Sequence, residues 1–107
     1  MIPVHLSEKI KEISNPWSPI DVTTVNDHVV RLALFDGSYH WHKHTHEDEL
    51  FYVLKGDIVI QVKGKPDIQV HKGEMVVIPK NVEHCPKGVT PSYVLLIEPA
   101  TLLSRGD

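Results

Sequence analysis

Turn-forming residues interrupt this chain about every 8 to 12 residues, a spacing that leaves room only for short strands between them. Turns are marked by Gly, Pro, Asn and Asp, as at Asn26-Asp27, Asp36-Gly37 and Gly64. The segments between turns are rich in β-branched and other apolar residues, which favours strands. The predicted strands cover residues 20–25, 28–35, 50–54, 58–62, 67–70, 75–78 and 93–98, in addition to a histidine-rich strand. This pattern indicates an all-β sandwich or jelly-roll barrel.

The amino-terminal region has the only helical spacing that we identify. Leu6, Ile10 and Ile13 follow helical intervals around Ser7, a favourable N-cap, so we predict a short helix over residues 7–13. A chain of 107 residues with 41% hydrophobic content suits a single domain with its own core. We expect an arm with the helix at 1–19, a barrel at 20–98 that contains a loop at 85–91, and an exposed tail at 99–107.

One stretch between Gly37 and Gly56 carries histidine at alternate positions: His40, His42, His44 and His46. On an extended strand these side chains share one face. Imidazole is the commonest metal ligand among side chains, so two of these residues could bind one ion. Glu49 adds a carboxylate, but its odd offset from His44 requires the chain to bend around residues 45–48.

A second stretch, from Gly73 to His84, contains a short apolar strand that ends at Pro79. Hairpins could bring His84 back to the histidine-rich strand. Three imidazole nitrogens and one carboxylate would then form a site suited to a first-row transition metal.

The two stretches together resemble the two motifs of the cupin superfamily. The first motif corresponds to Gly37, His42, His44, Glu49 and Gly56, and the second to Gly73, Pro79 and His84. The amino-acid sequences of residues Trp41–His44 and Asp48–Gly56 are similar to those of small cupins of the mannose-6-phosphate isomerase-like group.

This resemblance implies a cupin jelly-roll β-barrel, also called a double-stranded β-helix. It also implies a divalent metal held by His42, His44, Glu49 and His84, which could be Fe, Mn, Ni, Zn, Co or Cu. His46 is an alternative or extra ligand, because the pair His44 and His46 has the same spacing as His42 and His44. We prefer the earlier pair, since the later one leaves fewer residues before Glu49 than the family usually has.

Several other residues receive predictions from their positions. Asn81 stands where the second motif usually has Gly, a mild change because Asn tolerates a left-handed backbone. We expect Tyr39 and Trp41 to pack in the core and His40 to line a pocket. Cys85 is expected to be a small buried residue that points away from His84.

The net charge of −3 gives no electrostatic reason to expect binding to nucleic acid or to an anionic membrane. A single cysteine and the absence of a secretory leader pattern lead us to expect a cytoplasmic protein. Small cupins often form dimers by strand exchange, so the resemblance implies a homodimer in which residues 1–20 take part.

Two functional hypotheses follow. The first is a metal-dependent enzyme that acts on a small organic molecule, with dioxygenase-like or isomerase-like chemistry. The second is a module that binds a sugar or metabolite, or senses metal, without catalysis. The sequence shows no further acid/base group beside the ligands, which weakens the isomerase hypothesis.

Overall fold

The computed structural model describes all of residues 1–107 and contains one helix and seven strands. Helix α1 spans Leu6–Ile10. The strands are β1 (Ile20–Val25), β2 (His28–Ser38), β3 (Glu49–Lys55), β4 (Asp57–Val62), β5 (Lys65–His71), β6 (Met75–Ile78) and β7 (His84–Pro99). The predicted all-β class with a short amino-terminal helix is therefore confirmed. Helix α1 does not have the length and apolar character that a membrane-spanning helix requires.

Strand β7 connects two groups of strands within one seven-stranded sheet. Its second half lies between β2 and β3, and β1 and β6 complete the order β1-β2-β7-β3-β6. Its first half pairs with β4, which in turn pairs with β5, and with the end of β2. All pairings are antiparallel, as in a jelly roll. The predicted homodimer concerns a second chain and stays a prediction.

The core draws on both groups of strands. Strands β3 and β4 alternate buried with half-buried residues, as expected when one face of a strand covers a core. Phe35 and Phe51 meet edge to face with ring centroids 5.8 Å apart, and β4 contributes Ile58 and Ile60 to the same core. The cluster contains 11 buried residues: Ala33, Phe35, Phe51, Val53, Ile58, Ile60, Val62, Val70, Ile78, Val94 and Leu96.

Two predicted elements are shorter than expected. The helix ends at Ile10 rather than at residue 13, and none of its residues is buried. The predicted histidine-rich strand is reduced to one bridge pair at His42, with bends at Thr45 and His46. The bend that the offset of Glu49 requires is thus present. The segment between β2 and β3 is not a regular strand, because it has few backbone hydrogen bonds to neighbouring strands.

The predicted loop at 85–91 is wrong, because these residues belong to β7. The segment contains Pro86 and Pro91, which have no N–H to donate to a neighbouring strand. In the structure, the Pro86 carbonyl still accepts a hydrogen bond from the Tyr39 N–H at 2.9 Å. Gly88 lies so close to the main chain of Phe35 that a Cβ there would be 3.0 Å from the Asp36 nitrogen. Partners distant in sequence therefore hold the segment extended.

The predicted exposed tail is also partly wrong. Leu102 is only 2% exposed, and its carbonyl accepts a hydrogen bond from Arg31. The tail therefore packs on the barrel, which a local reading of turn residues could not reveal.

Two turn glycines allow a test of close packing. Gly56 and Gly64 both have positive φ, at 94° and 74°. A Cβ at Gly56 would contact Ser92 and lie 2.8 Å from its Cβ, whereas the space beside Gly64 is open. Ser92 is held in place because its hydroxyl accepts a hydrogen bond from the Asp57 N–H at 3.0 Å.

We expect Gly64→Ala to lower the free energy of unfolding by about 1 kcal/mol, the cost of a left-handed backbone. Gly56→Ala should lower it by about 3 kcal/mol, because a steric clash is added to the same strain. Urea denaturation followed by tryptophan fluorescence measures both losses. Equal losses for the two variants would contradict the proposed crowding at Gly56.

Candidate metal centre

A two-residue backbone bridge brings the two histidine-containing stretches together. The His42 N–H donates to the His84 carbonyl at 3.0 Å, and the His84 N–H donates to the His42 carbonyl at 2.9 Å. Side chains opposite one another in an antiparallel pair lie on the same face. The imidazole rings of His42 and His84 are accordingly 4.5 Å apart between centroids.

Glu49 and His44 complete the cluster. Glu49 is the first residue of β3, and its Oε1 lies 3.4 Å from His44 Nε2 and 3.8 Å from His84 Nε2. The His44 carbonyl accepts a hydrogen bond from the Asn81 N–H at 2.7 Å. Asn81 has a φ of 65°, the left-handed conformation expected at this position. One ligand atom from each of His42, His44, Glu49 and His84 lies within 4.8 Å of the others.

The cluster is buried and its polar atoms are incompletely paired. His44, Glu49 and His84 are at most 4% exposed. His44 Nε2, His84 Nε2 and Glu49 Oε1 have no hydrogen-bond partner, which is rare for buried polar atoms. The second ring nitrogens of His42 and His84 donate to the carbonyls of His40 and Val82 at 2.9 and 2.8 Å. These bonds leave Nε2 of both residues free to bind a metal.

Burial lowers the pKa of His42 to about 4, and the neighbouring imidazoles of His84 and His44 act in the same direction. The hydrogen bond to His40 opposes this shift but does not overcome it. His42 is therefore neutral at neutral pH, which is the form in which imidazole binds a metal.

Glu98 is a buried carboxyl group beside Glu49 that the sequence analysis missed. Burial, followed by the neighbouring carboxylate of Glu49, raises the pKa of Glu98 to about 9. Burial also opposes ionisation of Glu49, but the polar side chains of His44, His84 and Glu98 beside it outweigh burial and lower its pKa. At neutral pH Glu98 therefore keeps its proton while Glu49 is ionised. Arg31 Nη1 donates to Glu98 Oε1 at 3.1 Å.

A signal for Glu98 was present in the sequence. Val94 and Leu96 precede it at alternate positions on the last predicted strand and are buried. The same alternation places Glu98 on the core face, where a carboxyl group needs a polar partner.

An aromatic cleft adjoins the cluster. Trp17 stacks on Phe35 and on Tyr39, with ring centroids 4.3 and 4.7 Å apart. His42 and Glu49 line the same cleft. Trp17 has no periodic signal in the sequence, because it lies in the irregular segment after α1. Trp41 is 50% exposed, so its predicted core position is wrong, while Tyr39 is half-buried at the cleft.

The remaining predicted residues lie outside the cluster. His46 is exposed, and His40 is an exposed residue whose Nε2 donates to the Arg105 carbonyl at 2.9 Å. Asp48, next to Glu49, accepts a hydrogen bond from the Lys80 N–H at 2.8 Å. Cys85 is buried as expected.

A jelly roll with a buried cluster of three histidines and one glutamate beside an internal cleft defines a class of small β-barrel proteins with a candidate metal site. The chain belongs to the cupin family: residues 28–98 match the family model Cupin_2, described as a cupin domain. The narrower mannose-6-phosphate isomerase-like group stays a prediction.

Individual relatives agree with this membership. The uncharacterized protein YdbB of Bacillus subtilis is 36% identical over 87 residues, which cover 81% of this chain and 77% of YdbB. The crystal structure of a cupin-2 domain containing protein from Shewanella frigidimarina superposes with a TM-score of 0.86 at 33% identity, covering 90% of this chain and 93% of that one. The 3-hydroxyanthranilate 3,4-dioxygenase of Danio rerio is 35% identical over 63 residues, which cover 56% of this chain and only 22% of that enzyme.

In the metal-free protein, we expect His42 to titrate near pH 4, and NMR of its ring resonances measures the midpoint. An unperturbed histidine titrates near 6.5, so between these values the unfolded chain binds the additional proton. The His42 contribution therefore lowers the stability of the metal-free fold as the pH falls from 6.5 to 4. A midpoint near 6.5 would contradict the burial described above.

Proposed function

We propose that this cupin binds a divalent transition metal through His42, His44, Glu49 and His84, and that it binds or transforms a small organic molecule in the adjoining cleft. The observation that carries the proposal is the convergence of buried ligand atoms without hydrogen-bond partners. Buried polar atoms are costly to leave unpaired, and a metal ion would satisfy several of them at once.

The donor set fits such an ion. Neutral imidazole nitrogens suit Zn, Cu, Fe and Ni, and a carboxylate extends the range to Mn and Co. Glu49 is ionised and His42 is neutral, as metal binding requires. A divalent metal bound here would supply Lewis-acid chemistry or, if it is redox-active, electron transfer. Because Glu98 keeps its proton and Glu49 is ionised, this carboxyl pair carries one net negative charge.

The cleft is lined mainly by aromatic and apolar side chains, and Ser104 adds a polar group at its edge. Its volume is about 30 Å³, and Trp17 already stacks on Phe35 and Tyr39. A small, flat organic ligand would therefore bind by taking the place of one of the rings that stack on Trp17. Partial similarity to 3-hydroxyanthranilate 3,4-dioxygenase supports dioxygenase-like chemistry on an aromatic compound as the enzymatic form of the proposal. An isomerase-like reaction has less support, because the cleft contains no additional carboxylate or imidazole beyond Glu49 and His42.

A second candidate function is binding without turnover. The composition of the cleft favours this function, since Tyr39 and Ser104 are the only polar side chains that line it apart from the cluster. Oxygen consumption by the Fe(II)-loaded protein with catechols, aminophenols, thiols or diketones would support the enzyme. An increase in melting temperature with such a compound, without oxygen consumption, would support the binding module.

Protein purified without a histidine tag should contain or take up about one equivalent of metal per chain, measured by elemental analysis. His84→Ala should abolish this stoichiometric binding, because it removes a buried imidazole from the centre of the cluster. His46→Ala is the matched control and should retain the metal, since His46 is exposed. Loss of metal from His46→Ala with retention in His84→Ala would overturn the proposed ligand set.

A pair of tryptophan variants tests the cleft. Trp17→Ala should weaken binding of an aromatic ligand about tenfold, because it removes a stacking wall. Trp41→Ala should have little effect, since Trp41 is half-exposed and does not line the cleft. Isothermal titration of the metal-loaded variants measures both affinities. Equal affinities would place the ligand outside the cleft.

A further inference from the structure

The segment that carries His42 and His44 has few hydrogen bonds of its own. Between β2 and β3 it makes one bridge with His84, accepts a bond from Asn81, and bends at Thr45. Two members of the cluster therefore lie on a chain segment that needs support from elsewhere. That support comes from residues 101–107, which we call the clasp.

The clasp contacts the histidine-rich segment at both ends. Thr101 Oγ1 donates to Glu47 Oε2 at 3.0 Å. At the other end, the Asp107 N–H donates to the Lys43 carbonyl at 3.1 Å, and Asp107 Oδ1 accepts from the Thr45 N–H at 3.0 Å. The clasp thus bonds to the residues on each side of His44.

Gly106 allows the clasp to approach this closely. A Cβ at Gly106 would lie 2.7 Å from His42 Cβ and 2.9 Å from the Lys43 carbonyl oxygen. Its φ of 88° is also unfavourable for any other residue. The main chain of the clasp therefore packs directly against a proposed ligand.

Of the three imidazoles in the cluster, only that of His44 has no hydrogen bond. His42 and His84 each donate through Nδ1 to a nearby carbonyl. His44 is 2% exposed, yet neither of its nitrogens has a hydrogen-bond partner. Its Nε2 faces Glu49, and one ring nitrogen lies within 4.8 Å of a carboxylate oxygen of both Glu47 and Asp107.

We propose that the clasp positions His44 for metal binding: Asp107, together with Glu47, which Thr101 of the clasp holds, supplies the carboxylate that accepts the His44 Nδ1–H once a metal is bound. A histidine that binds a metal through one nitrogen usually donates the other to a carboxylate, carbonyl or water. His42 and His84 have carbonyl acceptors in their own segments, whereas the acceptor of His44 depends on the clasp. This inference rests on the proposed metal site. Asp107 and Glu47 are positioning residues and do not touch the metal.

Asp107→Asn is the critical variant, because it preserves the shape of the side chain and an oxygen for Thr45 while removing the negative charge. We expect its Zn(II) affinity, measured by competition with a chelator, to be about tenfold below that of the unmodified chain. Asp67→Asn is the matched control, since Asp67 is an exposed residue of β5, and its affinity should be unchanged. Asp107→Glu keeps a carboxylate at this position, so its Zn(II) affinity should fall less than that of Asp107→Asn.

Nitrogen-15 NMR of the Zn(II)-loaded chain distinguishes positioning from general support. The His44 Nδ1–H should be visible and slow to exchange, and it should exchange faster in Asp107→Asn, while the Nδ1–H signals of His42 and His84 remain unchanged. Equal Zn(II) affinity of Asp107→Asn and the unmodified chain, or equal changes at all three histidines, would overturn the role of the clasp. Failure of the unmodified chain to bind Zn(II) would instead overturn the metal site itself.

Discussion

The pairing of β7 with three other strands is the interaction on which the rest of the structure depends. Its 16 residues bond to β2, β3 and β4, so one strand joins the two groups of strands into a single sheet. The same strand begins with His84 and carries Glu98 near its end. Both residues reach the cluster around Glu49, because the strand bends around the core rather than crossing it once. The site is therefore a consequence of the sheet pairing.

Burying polar groups in this core costs free energy, which contacts with neighbouring polar groups must offset. Glu49 is almost fully buried, but imidazoles and the protonated Glu98 surround it, and Arg31 approaches Glu98 from the outer side. Each of these contacts reduces the cost of removing a carboxylate from water. Three of the atoms that remain unpaired, His44 Nε2, His84 Nε2 and Glu49 Oε1, lie close together, so they are available to a ligand.

Most of the fold was accessible from the sequence because it follows from local patterns. Turn residues and alternating apolar residues predict nearly every strand, and the positive φ at Asn81 agrees with its place in the second motif. The errors occur where partners distant in sequence decide the conformation. Residues 85–91 are extended only because β2 and β4 bind them, and the tail packs because Arg31 and the barrel surface receive it.

The candidate site divides in the same way. The sequence by itself identified the candidate metal ligands His42, His44, Glu49 and His84 and their spacing, because motif spacing is a local property. Only the tertiary structure decided which neighbours act on them: Glu98, the aromatic cleft at Trp17 and the clasp. These neighbours come from separate parts of the chain, and a buried group's charge and orientation depend on everything packed around it. Such surroundings exist only after the strands have paired.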